Sequence, residues 1–334
     1  MIYSNLDFNH KTVLITGGAG FIGSNLALYI QNNFAEAKIV VFDCFRNNEC
    51  LDNGNPISYG HYKNLIGFYG EVICGNINSK IDLSMLDNFN FDYIFHHAAI
   101  SDTRAYNQEL VLKTNVNSFY SVLEIAKKHD SVLVYASSAA TYGNLPAPQV
   151  EGNENPENPY GYSKLLMDKI ASQYSIENSN MTIVGLRFFN VYGPREFYKA
   201  KTASMVIQLG HQILSNKSPG LFRESDSIFR DFIYVEDVIQ ANIKACSPKK
   251  NGSYNVGTST PRSFKDIVDI LQYELKTSLK INYFDNPYSG YQLNTQANID
   301  LAAENLNFNP NFTLEDGIKS YLPEISRLHG EDIL

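Results

Sequence analysis

A parallel α/β sheet covered by helices on both faces, with a smaller C-terminal lobe, is the fold class predicted for this 334-residue chain. Three observations lead there. Short apolar runs recur at residues 11–16, 38–43, 71–74, 93–96, 132–136 and 182–186. Helical patterns lie between them, notably at 111–128 and 160–174. The first run feeds the glycine turn TGGAGFIGS (residues 16–24), which opens a helix before the second run begins. Strands alternating with helices are the pattern of a doubly wound parallel sheet, buried on both faces.

The strand at 11–16 owes its prediction to Thr12, Val13, Leu14 and Ile15, an unbroken apolar and β-branched run. In the turn after it, Gly17, Gly20 and Gly23 stand three residues apart. Glycine allows a tight turn and a close approach of backbone to an anion, and the helix that follows offers free N–H groups and its positive end. A strand, a glycine turn and a helix in this order make the start of a Rossmann-type, dinucleotide-binding unit. Asp43 ends the second strand, where a carboxylate accepts hydrogen bonds from ribose hydroxyls. Arg46, three residues on, offers a guanidinium to a 2′-phosphate instead, so NAD and NADP both remain open here. Asn76, after the third strand, is placed to face the adenine or to form a turn.

Residues 44–70 are irregular and are expected to form an insertion or a short helix. Beyond Arg187 the texture changes. A helix is expected at 203–214 and another at 264–275, while 233–235 and 254–257 read as strands that return to the sheet. The dinucleotide-binding domain is therefore expected over 1–188 plus about 231–260, and the substrate lobe over 189–230 plus about 261–334.

Bulk properties exclude several classes. A net charge of −8 argues against a nucleic-acid binder, which needs a positive field. No apolar run approaches the ~20 residues that span a bilayer. The start of the chain lacks a signal-peptide pattern, so the cytoplasm is the expected compartment. Four cysteines, Cys44, Cys50, Cys74 and Cys246, form no C-x-x-C pair, which suits reduced thiols. His96 and His97 point to opposite faces of a strand and have no third ligand spaced nearby, so no metal is expected.

The chemistry lies in SSAATYG (137–143) and YGYSK (160–164). Asn158 and Pro159 read as an N-cap and a first-turn proline, which start a helix there. Tyr160 and Lys164 then share one helix face. A phenol of pKa near ~10 is a poor base at neutral pH, and a nearby cation and an oxidised nicotinamide lower it. Tyr160 can then take the proton of a carbinol, with Ser138 hydrogen-bonded to the same oxygen and Lys164 holding the nicotinamide ribose.

TGGAGFIGS, HHAA (96–99), SSAATYG, YGYSK, RFFNVYGPR (187–195) and RDFIYVEDV (230–238) together resemble the blocks of the extended short-chain dehydrogenase/reductases, most of which modify nucleotide-sugars. A narrower resemblance begins at FNVYGPREFYKAKTASM (189–205) and continues through ISDT (100–103), SPGLFRESDSIFRDFIYV (218–235) and GYQLNTQANI (290–299). It points to the ADP-glyceromanno-heptose 6-epimerases. The resemblance implies a fold of the Rossmann type, an isomerase, a tightly bound NADP (NAD the alternative) in each subunit, an ADP-sugar substrate and a homo-oligomer, pentamers among them. It makes Lys199 a second base beside Tyr160, with Ser138 and Lys164 completing the catalytic set.

The cofactor contacts it implies are Gly17, Gly20, Phe21, Ile22 and Gly23 in the turn; Asp43, Cys44 and Arg46 after the second strand; and Asn76 and Ile77 after the third. His97, Ala98, Ala99, Ser101, Asn115 and Val191, with Tyr160 and Lys164, complete them. On the substrate side it implies Ser138, Asn190, Lys201, Gln208, Phe222, Arg223, Glu224, Ser225, Arg230 and Tyr291. Arg230 would neutralise the diphosphate and Phe222 would stack on or beside the adenine. Some positions depart from the family pattern. Ala200-Lys201 replaces the usual Gly-Ser, and a second ammonium beside Lys199 would lower its pKa. Gln208 and Arg104 stand where His and an acidic residue are usual. Ala139-Ala140 occupies the place where a 4,6-dehydratase wants an acidic pair, which argues against that reaction.

Overall fold

A computed structural model describes residues 3, 6–286 and 293–331. Six strands, β1 (Thr12–Thr16), β2 (Lys38–Asp43), β3 (Glu71–Cys74), β4 (Tyr93–His96), β5 (Val132–Ser138) and β6 (Ile183–Phe188), join a seventh, Gly252–Val256, in one sheet. From one edge the order runs Gly252–Val256, β6, β5, β4, β1, β2, β3, and every pairing is parallel. Chain order reverses direction between β1 and β4, so the loops leaving these two strands diverge and open a crevice at the strand ends.

Alternation along the strands explains the burial on both faces. Val13 and Ile15 pack into one core with Leu26, Ile30, Val41 and Val134. Leu14 points the other way, into a core with Val40, Ile94, Phe119, Leu133 and Met167. A third cluster gathers Val206, Leu209, Phe232, Phe264, Ile267, Ile318 and Tyr321 around the helices Met205–Leu214, Phe264–Leu275 and Leu314–Leu328. This apolar mass stands over the strand ends and forms the far wall of the crevice.

Two elements differ from expectation. The single helix anticipated at 111–128 is interrupted: Gln108–Leu112 and Ser118–His129 flank a widened turn at Lys113–Asn117. Asn115 sits in that turn. Its amide accepts from the Ile100 N–H at 2.8 Å and donates to the Ile100 carbonyl at 3.0 Å and to Ser163 Oγ at 2.9 Å. The wide turn brings this side chain between the loop after β4 and the helix that carries Tyr160. The second difference is at residues 233–235. The strand Phe232–Tyr234 pairs with Asn190–Tyr192 as a separate two-stranded ribbon, while Gly252–Val256 does join the main sheet. Residues 44–70 form mainly loop, with one short helical turn at Tyr62–Leu65.

Candidate active site

The crevice is a cleft of about 640 Å³ whose wall is built from the ends of β1, β2, β4, β5 and β6 and from the segment 188–205. At its floor the glycine turn packs without room to spare. Gly17 has φ +69°, and a Cβ there would stand 2.6 Å from the Ala98 nitrogen. A Cβ on Gly23 would stand 2.4 Å from the Gly17 carbonyl oxygen. The helix that follows, Phe21–Asn33, starts at Gly20 with no side-chain cap and no acidic residue in its first turn. Its N–H groups therefore face the cleft uncapped, which suits a diphosphate. Those donors, together with the lysine amine deeper in, fit a dinucleotide.

Asp43 is buried and lines the cleft, but both carboxylate oxygens already serve the protein. Oδ2 accepts from the Ala19 N–H at 2.9 Å and Oδ1 from the Phe45 N–H at 2.8 Å. Asp43 thus braces the glycine turn from behind. Burial pushes its pKa up, and these two N–H groups oppose that. Arg46 does not line the cleft. Its Nη2 donates to the Tyr198 carbonyl at 2.6 Å, so the guanidinium expected at a 2′-phosphate reaches the segment carrying Lys199. Cys44, Asn76, Ile77, His97, Ala98, Ala99, Ser101 and Val191 do line the cleft, with Gly17, Gly20, Phe21, Ile22 and Gly23. Asn115 lies behind the wall.

The helix Pro159–Glu177 starts as expected. Asn158 Oδ1 accepts from the Gly161 N–H at 2.8 Å, and Pro159 occupies the first turn. That start presents Tyr160 and Lys164 to the cleft beside Ser138, at the end of β5. Lys164 is 2% exposed and donates to the Ala136 carbonyl at 2.7 Å. Burial lowers its pKa to about 8, against the pull of the Asp168 carboxylate. Burial raises the Tyr160 pKa above its ordinary value, and the bond with Ser138 opposes the rise. Lys164 Nζ stands over the Tyr160 ring, 5.8 Å from its centroid and within the reach of cation–π attraction.

Lys199 lines the same cleft, with Nζ 5.5 Å from the Phe21 ring centroid. Burial lowers its pKa, while Glu196 and Asp102 hold it up. Lys201 is exposed and outside the cleft lining, so burial rather than a second ammonium accounts for the depression. The backbone just after Lys199 is strained. Ala200 has φ 55° and ψ −123°, a region nearly reserved for glycine. Ala200→Gly is expected to raise unfolding stability by roughly 1 kcal/mol, since such strain costs about 1–3 kcal/mol and the added freedom of the unfolded chain returns part of it. A urea titration of both proteins measures the difference, and an unchanged or lower midpoint contradicts it.

Of the remaining expected residues, Asn190 and Arg230 line the cleft. Arg230 is buried, with Nη1 donating to the carbonyls of Phe229 at 2.9 Å and Leu293 at 3.0 Å. Gln208 instead donates to the Ala203 carbonyl at 2.6 Å. Phe222 packs edge-on against Phe284, and Arg223 pairs with Asp285 at 2.7 Å. These three, with Lys201, Glu224 and Ser225, lie outside the lining of the cleft. Tyr291 lies outside the described residues.

The sequence reading overlooked a buried polar network beneath the site. Asp168 Oδ1 accepts from Tyr135 at 2.9 Å, and Oδ2 accepts from Ser137 at 3.0 Å and from Arg187 Nε at 2.8 Å. Its signal was present: Tyr160, Lys164 and Asp168 follow at i, i+4 and i+8. Among the described residues no group of three His, Cys, Asp or Glu side chains could hold a metal. His96 and His97 do not act as a pair: His96 Nδ1 meets Thr16 Oγ1 at 2.7 Å inside the protein, while His97 faces the cleft.

Residues 13–257 match the model of the NAD dependent epimerase/dehydratase family. The chain belongs to that family. Among solved structures, the ADP-L-glycero-D-manno-heptose-6-epimerase of Helicobacter pylori is 49% identical over 98% of this chain and 99% of its own, with a TM-score of 0.89. The UDP-glucuronic acid 4-epimerase of Bacillus cereus, solved with UDP-glucuronic acid and NAD, is 26% identical over 95% of this chain and 99% of its own, with a TM-score of 0.79. The UDP-glucose 4-epimerase of Thermotoga maritima, 24% identical over 95% of this chain and 99% of its own, shares the fold at a TM-score of 0.83. This epimerase is thus an isomerase of the nucleotide-sugar class, as its motifs predicted. Among its described residues no helix is long and apolar enough to cross a membrane.

Proposed function

We propose that this epimerase interconverts ADP-D-glycero-D-manno-heptose and ADP-L-glycero-D-manno-heptose at carbon-6. The observation that carries the reading is that Tyr160 and Lys199 line one cleft, in a chain 49% identical to a solved heptose epimerase. A bound nicotinamide dinucleotide supplies a reversible two-electron acceptor, so epimerisation needs no outside oxidant. The proposed dinucleotide is NADP, with NAD the alternative. It is held by the uncapped N–H groups after Gly20, by Asn76 and Ile77, and by Lys164.

The residues then divide the work. Tyr160, beside Ser138 and with its pKa brought down by Lys164 and by an oxidised nicotinamide once one is bound, takes the proton of the C6 hydroxyl in one orientation. Carbon-6 lies outside the sugar ring, so the 6-keto group can rotate about the C5–C6 bond. After rotation its oxygen meets Lys199, which returns a proton on the other side. A pKa depressed by burial brings the Lys199 amine nearer to neutral pH, where proton transfer in both directions is most efficient. Arg230 and Asn190 are the side chains of the cleft suited to the diphosphate and the sugar hydroxyls. Function in the cytoplasm as a homo-oligomer, with a dinucleotide-binding domain over 1–188 plus about 231–260, belongs to the same proposal.

The test uses the purified protein with no cofactor added. ADP-D-glycero-D-manno-heptose is expected to approach a mixture of the two epimers, followed by proton NMR. A holo-protein that leaves the substrate unchanged discards the reading. The nucleotide that co-purifies identifies the cofactor.

A further inference from the structure

The turn that carries Lys199 cannot hold itself. Phe197–Thr202 is six residues long, with bonds at its ends from the Lys199 N–H to the Glu196 carbonyl and from the Ala203 N–H to the Ala200 carbonyl, and with Thr202 Oγ1 donating to the Lys199 carbonyl at 2.8 Å. A single short turn is marginal by itself, and Ala200 adds strain within it. Something outside must keep the amine in the cleft. Beside the bonds from Ser204 and Gly193 to the Glu196 carboxylate, the contacts from residues 46–63 converge on the preceding residue, Tyr198. The His61 ring stacks flat on the Tyr198 ring, with centroids 3.9 Å apart and planes 1° from parallel. Arg46 Nη2 donates to the Tyr198 carbonyl at 2.6 Å. Lys63 Nζ sits 5.6 Å from the same ring centroid.

These fasteners are themselves tied to the glycine turn. The Ala19 carbonyl accepts from the His61 N–H at 3.0 Å and from Asn64 Nδ2 at 3.0 Å. The Ala19 N–H in turn donates to Asp43. Arg46 N–H donates to the Gly60 carbonyl at 2.7 Å, and Arg195 Nε reaches the Asn64 carbonyl at 3.2 Å. One unbroken series of contacts therefore runs from the diphosphate turn through residues 60–64 to Tyr198 and Lys199.

We infer that His61 and Arg46 are positioning residues for Lys199, fastening Tyr198 so that the amine is aimed into the cleft and its place is coupled to the glycine turn. His61 works as an uncharged flat ring: burial, Arg46 and Lys63 all lower its pKa. Removing it therefore takes away no charge from the neighbourhood of Lys199. The charged groups that act on the Lys199 amine are Glu196 on its own segment and Asp102 from the loop after β4. Those around Tyr198 are Lys63, Glu324, Arg327 and Glu331, with the Tyr62 phenol. The role in catalysis rests on the reading of Lys199 as a proton carrier.

The experiment has two arms. In the first, His61→Ala is expected to lower kcat for epimerisation by roughly 10- to 100-fold, the scale of a misplaced reacting group, with KM and bound nucleotide retained. His61→Phe, which restores a flat ring, is expected to recover most of the rate. In the second arm, lysines are reductively methylated with ¹³C-formaldehyde and the Lys199 resonance is assigned by its loss in Lys199→Arg. Its titration midpoint is expected to rise towards the ordinary lysine value in His61→Ala and to stay in place in His61→Phe. Should His61→Ala fail to fold, Arg46→Gln removes the other fastener and is read in the same two ways. An unmoved Lys199 titration in the alanine variant overturns the inference, as does a loss that the phenylalanine variant fails to recover. If the wild-type protein does not epimerise the ADP-heptose, the functional reading fails, while the NMR arm still decides whether His61 positions Lys199.

Discussion

Tyr160→Phe is expected to reduce kcat for epimerisation by about 10²–10⁴-fold, the usual contribution of a positioned general acid or base, with the fold, KM and bound dinucleotide intact. The ring stays in its place at the start of the helix Pro159–Glu177, so packing is preserved. What is lost is the hydroxyl beside Ser138. Because that hydroxyl acts on the substrate oxygen only while bonds are changing, its loss should appear in kcat far more than in KM. Steady-state rates by proton NMR, together with the absorbance of the bound nucleotide, measure both quantities. A phenylalanine variant that retains the wild-type rate would remove Tyr160 from the chemistry and leave proton transfer at the C6 oxygen to Lys199.

Arg187→Met is expected to destabilise the protein by about 3–5 kcal/mol, the cost of leaving a buried charge without its partner. The guanidinium is sealed inside the protein. Its Nε bonds to Asp168 at 2.8 Å, and Nη1 bonds to Glu154 at 2.6 Å and to the Tyr142 hydroxyl at 2.8 Å. Without it, Asp168 keeps its bonds from Tyr135 and Ser137 but loses its counter-charge. Arg187→Met combined with Asp168→Asn should recover part of the loss, since the double variant buries no unpaired charge on that pair. Urea unfolding of the two single variants and the double variant forms a cycle that isolates the coupling. Equal losses that simply add would show that the pair is not coupled. The network also stands directly beneath the reaction groups: Ser137 precedes Ser138, and Asp168 follows Lys164 by one helical turn and supports its charge. Catalytic geometry and core stability share these atoms.

The strand runs were readable because a parallel sheet buried on both faces needs continuous apolar segments, and β1, β2 and β4 fall where those runs lie, while β3, also where its run lies, is the mostly exposed edge. The helix bearing Tyr160 was readable from Asn158 and Pro159, because capping is local. The turn at Lys113–Asn117 was not, because it depends on Asn115 bonding to Ile100 and Ser163, one of them 48 positions away.

Within the site the same division holds. The chain alone determined what is local: the glycine turn, the Tyr160–Lys164 face and Ser138 at a strand end, each specified by spacing along one or two elements. Tertiary structure decided what depends on distant segments. It turned Arg46 towards Tyr198, engaged both oxygens of Asp43 with backbone N–H groups, kept Lys201, Gln208 and Phe222 out of the cleft lining, and brought Lys199 into the cleft that Tyr160 lines. Burial likewise raised the Tyr160 pKa and lowered that of Lys164, because it disfavours the charged form of each and acts only where remote segments enclose the group. The reason is physical: periodicity and capping act over a few residues, whereas desolvation and the choice of hydrogen-bond partner arise only when remote parts of the chain are packed together.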